Sequence, residues 1–275
     1  GSDNGFVKTW YDQSGNSKQA AQPTPASQPK IVSAGSLLTA GVTFDGGDSL
    51  SVSGDPVITA SSSGTYSAFS VQTVATSEAG YLYGNTSSSN GSSLYAGVNI
   101  FTLSNRTNAS LDNIVRSSGQ NLLSSVYNNG DAGLLVNGAG TMADALTYDF
   151  SAGSSDFIIG NRNGGSAGAT FLTGSINEII VYNSDQSDKR RAIEESIATA
   201  NGITLGSFNR DGFVKTWYDQ SVTTEQGNVA TGHHAVQATP ANQPLIVSAG
   251  ALVADNGIDF DGSTSSRTLV APSVT

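Results

Sequence analysis

The chain has no cysteine, two histidines and one methionine among its 275 residues. Without thiols there are no disulfides, no thiolate chemistry and no cysteine zinc site. The histidines, His233 and His234, are adjacent and late. A Ser-His-Asp set or a histidine metal site therefore cannot be built from the residues that precede them. Charge is scarce too. Asp, Glu, Lys and Arg make up 12% of the chain, about half of the usual quarter. Lys and Arg number 12 against 22 Asp and Glu, for a net charge of −10. No basic patch is available to neutralise phosphates, which excludes nucleic acid as a partner and sets the surface against anionic membranes. No apolar run reaches spanning length, so membrane insertion is not expected. The opening "GSDNGFVKTW" has no signal-peptide pattern and reads like the edge of a longer chain.

Polar uncharged residues and 32 glycines fill the space that charge leaves. That composition suits a β protein of an extracellular, cell-surface or virion-surface setting. The order of the sequence is repetitive. "GFVKTWYDQS" runs from Gly5 to Ser14 and again from Gly212 to Ser221. "QPTPASQPKIVSAGSLL" (Gln22 to Leu38) returns as "QATPANQPLIVSAGALV" (Gln237 to Val253), and "GVTFDGGDSL" (Gly41 to Leu50) as "GIDFDGSTSS" (Gly257 to Ser266). A period of about 207 residues is a domain length, far beyond any solenoid repeat. The expected organisation is a complete repeat over 1–206 and the opening part of a second over 207–275. That opening part either begins a further tandem domain or completes a fold, 211–275 packing where 1–60 packs, on a neighbouring chain by strand exchange or within a permuted unit made of 61–275.

Strand patterns dominate. "FVKTWY" alternates, with Val7, Thr9 and Tyr11 on one face and Phe6, Lys8 and Trp10 on the other. "TYSAFSVQTVA" is a long β-rich run, and "NLLSSVYNNGDAGLLVNG" reads as a hairpin with Leu134 and Val136 on one face. One helix is expected over about 187–200. Ser187 is its N-cap, Ile193, Ile197 and Ala200 its apolar stripe, and Asn201-Gly202 its stop. Many short strands, one helix and no βαβ pattern imply an all-β, two-sheet antiparallel jelly-roll sandwich.

The ordered series "YDQSGN", "FDGGDSLSV", "LLSSVYNNGDAGLLVNG", "FIIGNRNGG" and "FLTGSINEIIVYN" resembles the laminin-G-like, concanavalin-A-like lectin/glucanase sandwiches. The opening "TWYDQSGN" is also similar to the catalytic sandwich of arabinofuranosidase B. The resemblance implies a jelly roll, a glycan or cell-surface receptor as partner, and calcium as a possible cofactor. Calcium takes six to eight hard oxygens. Its candidates are Asp12 and Asn16 in the SGN loop, Asp45 and Asp48 after the FDG strand, and Asn177 on the late strand. Turn capping by Asp12 and Asp45 is the competing reading, supported by their return as Asp219 and Asp261. Tyr81, Tyr83 and Tyr95 are candidates for an aromatic sugar platform, although strand aromatics are more often core residues or cross-strand pairs. A retaining glycosidase needs two carboxylates about 5 Å apart. The sequence has no E-x-D-x-x-E run, Glu178 stands beside Asn177, and Glu194 and Glu195 are placed on the polar side of the helix.

The expected function is therefore a non-catalytic module of a repetitive surface protein, of the bacterial adhesin or phage type, that binds glycans or a host receptor. The alternatives are a structural fibre or decoration subunit assembling with other copies of itself, and an arabinofuranosidase-like hydrolase.

Overall fold

The computed structural model describes residues 3–54, 57, 65–85, 92–105, 110–128, 131–143, 156–161, 171–206, 212–217, 235–239, 242–248, 251–253, 257–260 and 268–270. The chain divides into two compact units, Gly1–Gly206 and Ser207–Thr275. His233, His234, Asp219, Asp261 and the hairpin tip at 129–130 lie outside the described residues.

The first unit contains β1 (Gly5–Phe6), β2 (Thr9–Trp10), β3 (Ala20–Ala21), β4 (Lys30–Ser33), β5 (Ser36–Leu37), β6 (Val42–Asp45), β7 (Leu50–Val52), β8 (Thr65–Thr73) and β9 (Gly80–Asn85). It continues with β10 (Ser92–Gly97), β11 (Ile100–Asn105), β12 (Ser110–Val115), β13 (Gln120–Asn128), β14 (Asp131–Val136), β15 (Ala139–Ala143), β16 (Phe157–Ile159), β17 (Thr173–Tyr182) and helix α1 (Arg190–Asn201). They form two antiparallel sheets, the all-β sandwich that the strand patterns call for. The first sheet runs β1-β4-β6-β17-β8-β13-β14-β15, with β5 hanging from β4; the second runs β12-β11-β10-β9-β16-β7-β3-β2.

The main core lies between the sheets. Phe44, Tyr66, Ala68, Tyr127, Leu134 and Val136 come from the first sheet; Leu50, Tyr83, Leu94, Phe101 and Phe157 come from the second. The central strands β8 and β13 are buried on both faces. Their inward residues join the main core, while Phe69, Val71 and Leu122 point out and meet Ile197 and Ala198 of α1. The helix thus covers the outer face of the first sheet, and this is why "SAFSVQ" and "LLSSV" are not simple alternating strands.

Several local expectations change. "FVKTWY" is not one strand: β1 joins the first sheet and β2 the second. The chain changes sheet between them, so Val7 and Trp10 both pack on the core. The helix starts at Arg190, with no side-chain cap. Ser187 is itself held in the preceding turn, its N–H and Oγ donating to Asp185 Oδ1 at 2.9 and 2.5 Å. The stop is as expected, with Gly202 left-handed at φ 65° and its N–H donating to the Ala198 carbonyl. Ala200 is exposed, and the buried stripe is Arg190, Glu194, Ile197 and Ala198. Glu194 is therefore not on the polar side. It is fully buried and accepts from Arg190 Nη1 at 2.5 Å, whereas Glu195 is the exposed partner of Arg191.

The second unit contains β18 (Gly212–Phe213), β19 (Thr216–Trp217), β20 (Ala235–Val236), β21 (Leu245–Ser248) and β22 (Ala251–Leu252). Strands β18, β21 and β22 form one small sheet, and β19 with β20 another. No helix among the described residues is long and apolar enough to cross a membrane.

Candidate functional site

The site begins with a strand that ends early. Strand β6 pairs with β17 only from Thr173 to Ile176. The chain leaves at Gly41, whose φ is +90° and whose position a Cβ would deny, since it would lie 2.5 Å from the Ile176 carbonyl oxygen and 2.7 Å from Asn177 Cα. At Asn177 the pairing of β17 with β8 slips by one residue. That bulge reverses the alternation, so Ile176 and Ile179 both face the core. Beyond it, residues 178–182 pair with β8 on one side and with no strand among the described residues on the other.

Beside this open edge is a cleft of about 1000 Å³ between the sheets, at the upper end of the range for small-ligand sites. Its floor is apolar: Ala20, Val52, Phe157 and Ile159 from the second sheet, Ile179 and Val181 from the first. One wall is Trp10 and the loop from Tyr11 to Lys18; the other carries Asn177, Glu178, Asn183 and Asn201. Tyr11 is 66% exposed at the rim, next to half-buried Trp10.

The loop holds its own shape. Asp12 Oδ1 accepts from Ser14 N–H at 2.8 Å, and Oδ2 from Ser14 Oγ at 2.9 Å and Lys18 N–H at 3.0 Å. These donors, Lys18 first, hold the Asp12 carboxyl below its ordinary range. Asn16 donates both its backbone N–H and its Nδ2 to Ser14 Oγ. Gly15 and Ser17 turn the chain at φ 83° and 59°. The backbone of the loop from Asp12 to Lys18 is thereby held by its own side chains.

Of the five oxygen ligands expected for calcium, Asp12, Asn16 and Asn177 line this cleft. Asp45 and Asp48 do not; they close the turn after β6. There Asp45 N–H donates to Asp48 Oδ2 at 3.0 Å and Gly47 N–H to Asp45 Oδ1 at 3.1 Å. Burial, with Asp45 alongside, pushes the Asp48 carboxyl up to about 6. Among the described residues no group of three His, Cys, Asp or Glu side chains is placed to hold a metal ion. Asn177 Oδ1 is buried without a hydrogen-bond partner, as expected of a residue displaced by a bulge.

The three tyrosines separate. Tyr81 and Tyr95 face each other across β9 and β10, half-buried, with ring centroids 4.9 Å apart. Tyr83 is in the core against Phe157, 5.7 Å between centroids, and burial pushes its hydroxyl up to about 12. It is no part of a sugar platform. A bulge at Leu82 separates Tyr81 from Tyr83, which a regular strand would put on one face. Tyr11, Gln13 and Lys18 were not singled out in the sequence. An aromatic residue immediately before a Gly- and Asn-containing loop was the available signal.

No protein-family model matches the sequence, and no curated protein matches it. Solved structures do. A mutant GH54 α-L-arabinofuranosidase soaked with 4-nitrophenyl α-L-arabinofuranoside is 15% identical, with a TM-score of 0.52, over 94% of this chain and 62% of that one. A mutant of the Trypanosoma rangeli sialidase displaying trans-sialidase activity is 13% identical, with a TM-score of 0.50, over 72% of this chain and 32% of that one. A Ruminococcus gnavus sialidase carbohydrate-binding module, CBM40, bound to α2,3-sialyllactose gives a TM-score of 0.45 at 17% identity, over 55% and 94%. The chain thus spans less than two thirds of each of the two enzymes. At these identities the likeness is one of fold alone, a two-sheet β-sandwich.

Proposed function

We propose that the first unit is a non-catalytic glycan-binding module, one of a series in a repetitive surface protein, and that the cleft beside the open half of β17 receives the saccharide. The observation that carries this reading is exposed Tyr11, next in the chain to half-buried Trp10, at the mouth of a cleft whose loop wall bears Asp12, Gln13 and Asn16. Sugars are recognised by an aromatic face that takes the C–H side of the ring and by fixed amides and carboxylates that take its hydroxyls. Prior bonding of the loop lowers the ordering cost of binding.

A hydrolase reading has one observation in its favour, since Asp12 and Glu178 line the same cleft. Against it, both Asp12 oxygens are committed to loop donors and its carboxyl is held ionised, which unsuits it as a general acid. The test is a glycan array on the whole chain, repeated with a chelator and with Tyr11→Ala. Binding to a defined glycan that survives chelation and falls about five- to tenfold in Tyr11→Ala, the ~1–1.5 kcal/mol of one aromatic contact, is expected. Binding unaffected by Tyr11→Ala, or turnover of 4-nitrophenyl α-L-arabinofuranoside that Glu178→Gln abolishes, would overturn it.

A further inference from the structure

The cleft of the first unit is polar at its walls and apolar beneath. Its six floor residues, Ala20, Val52, Phe157, Ile159, Ile179 and Val181, all belong to the main core or pack on it. The cleft is therefore a place where the core between the sheets opens outward. The sequence of pairings explains the opening. Ile176 is paired with Val42 of β6 and is fully buried. Strand β6 then departs at Gly41, while the bulge at Asn177 turns Ile179 to the core face as well. Ile179 and Val181 thus face the core without a β6 neighbour, and both stay half-buried.

A sugar ring alone does not match this floor. A hydroxyl set against hydrocarbon gives up water and gains no partner, whereas an apolar group in the same place gains by leaving water. The fixed polar groups are on the walls, in the loop from Tyr11 to Lys18 and at Asn177, Glu178, Asn183 and Asn201. At about 1000 Å³ the cleft also has room for more than one ring, since such volumes hold drug-sized ligands.

Charge narrows the ligand further. The ionisable groups among the described lining residues are Asp12, Glu178 and Lys18, two carboxylates to one ammonium. The described arginines are engaged elsewhere: Arg116 with the carbonyls of Ala75 and Glu78, Arg190 with Glu194, and Arg191 with Glu195. A carboxylated or sulfated sugar thus meets like charge, and among the described residues it meets no guanidinium fork.

The geometry points to a neutral glycoside with an apolar aglycone as the ligand, its sugar ring at the Tyr11 loop and its aglycone on the floor between the sheets. This inference rests on the glycan reading of the cleft and adds which end of the ligand goes inward.

The test is calorimetric titration of the full chain with paired probes. They are the methyl and 4-nitrophenyl glycosides of α-L-arabinofuranose, β-D-galactose, β-D-glucose and N-acetyl-β-D-glucosamine. Free 4-nitrophenol and the 4-nitrophenyl glycosides of glucuronic acid and N-acetylneuraminic acid complete the set. The tightest neutral 4-nitrophenyl glycoside should bind roughly tenfold or more tightly than its methyl counterpart, because the ring leaves water on the floor. The two acidic glycosides should bind roughly tenfold or more weakly than that neutral one. Ala20→Leu fills the floor from one sheet and Val181→Phe from the other. In either variant, shown by melting to be folded, the ratio of 4-nitrophenyl to methyl affinity should fall to about one. Equal binding of methyl and 4-nitrophenyl glycosides would overturn this inference and leave the glycan reading standing. So would an unchanged ratio in the folded variants, or an acidic glycoside as the tightest ligand. If free 4-nitrophenol binds as tightly as its glycosides, or no probe binds, the glycan reading fails and this ligand class fails with it.

Discussion

Asp48 is a carboxylate whose ionisation the fold opposes. Its side chain is buried beside Asp45, and its carboxyl is raised from 3.8 to about 6, with desolvation as the largest cause. The native state therefore keeps a proton that the unfolded chain has already released between those two values. Stability from this group is full below about 3.8 and falls as pH rises through 6. Asp48→Asn keeps an acceptor for the Asp45 N–H and removes the charge. Its stability relative to the parent should improve by ~1–3 kcal/mol between pH 4 and pH 8, read from urea unfolding at each pH. A constant difference across that range would show that Asp48 stays ionised. The same residue marks what the sequence conveyed. "FDGGD" was legible as a turn with capping carboxylates, but which carboxylate is buried depends on Phe44 and Gly160 meeting beside it, 116 positions apart in the chain.

At the scale of elements, regular alternation was legible and its interruptions were not. Leu134 and Val136 face the core as their spacing implies. Tyr83 does not follow its spacing, because the bulge at Leu82 inserts a residue that no local signal announces, and the bulge at Asn177 is equally unannounced. The sheet change after Phe6 is equally silent, since "FVKTWY" satisfies a single strand's pattern. Helix α1 shows the other kind of miss. A glutamate at 194 reads as polar surface unless Arg190, one turn earlier, is buried with it. Their ion pair is 8% and 0% exposed. Arg190→Ala should thus cost about 3–5 kcal/mol, because it leaves the Glu194 charge buried and alone. The paired replacement Arg190→Met with Glu194→Leu should recover most of that loss in chemical denaturation, and no recovery would mean that the pair holds the helix by more than its charge balance.

On the scale of the whole molecule, the two tryptophans report separately on the two copies. Trp10 is half-buried against the first unit's core, while Trp217 is 51% exposed in the second. A neutral quencher is needed to compare them, because a net charge of −10 repels iodide from either site. With acrylamide, Trp10→Phe, which leaves Trp217 as the emitter, should give redder emission and a steeper quenching slope than Trp217→Phe. A Trp10→Phe slope no steeper than that of Trp217→Phe would mean that Trp217 is as sheltered from solvent as Trp10.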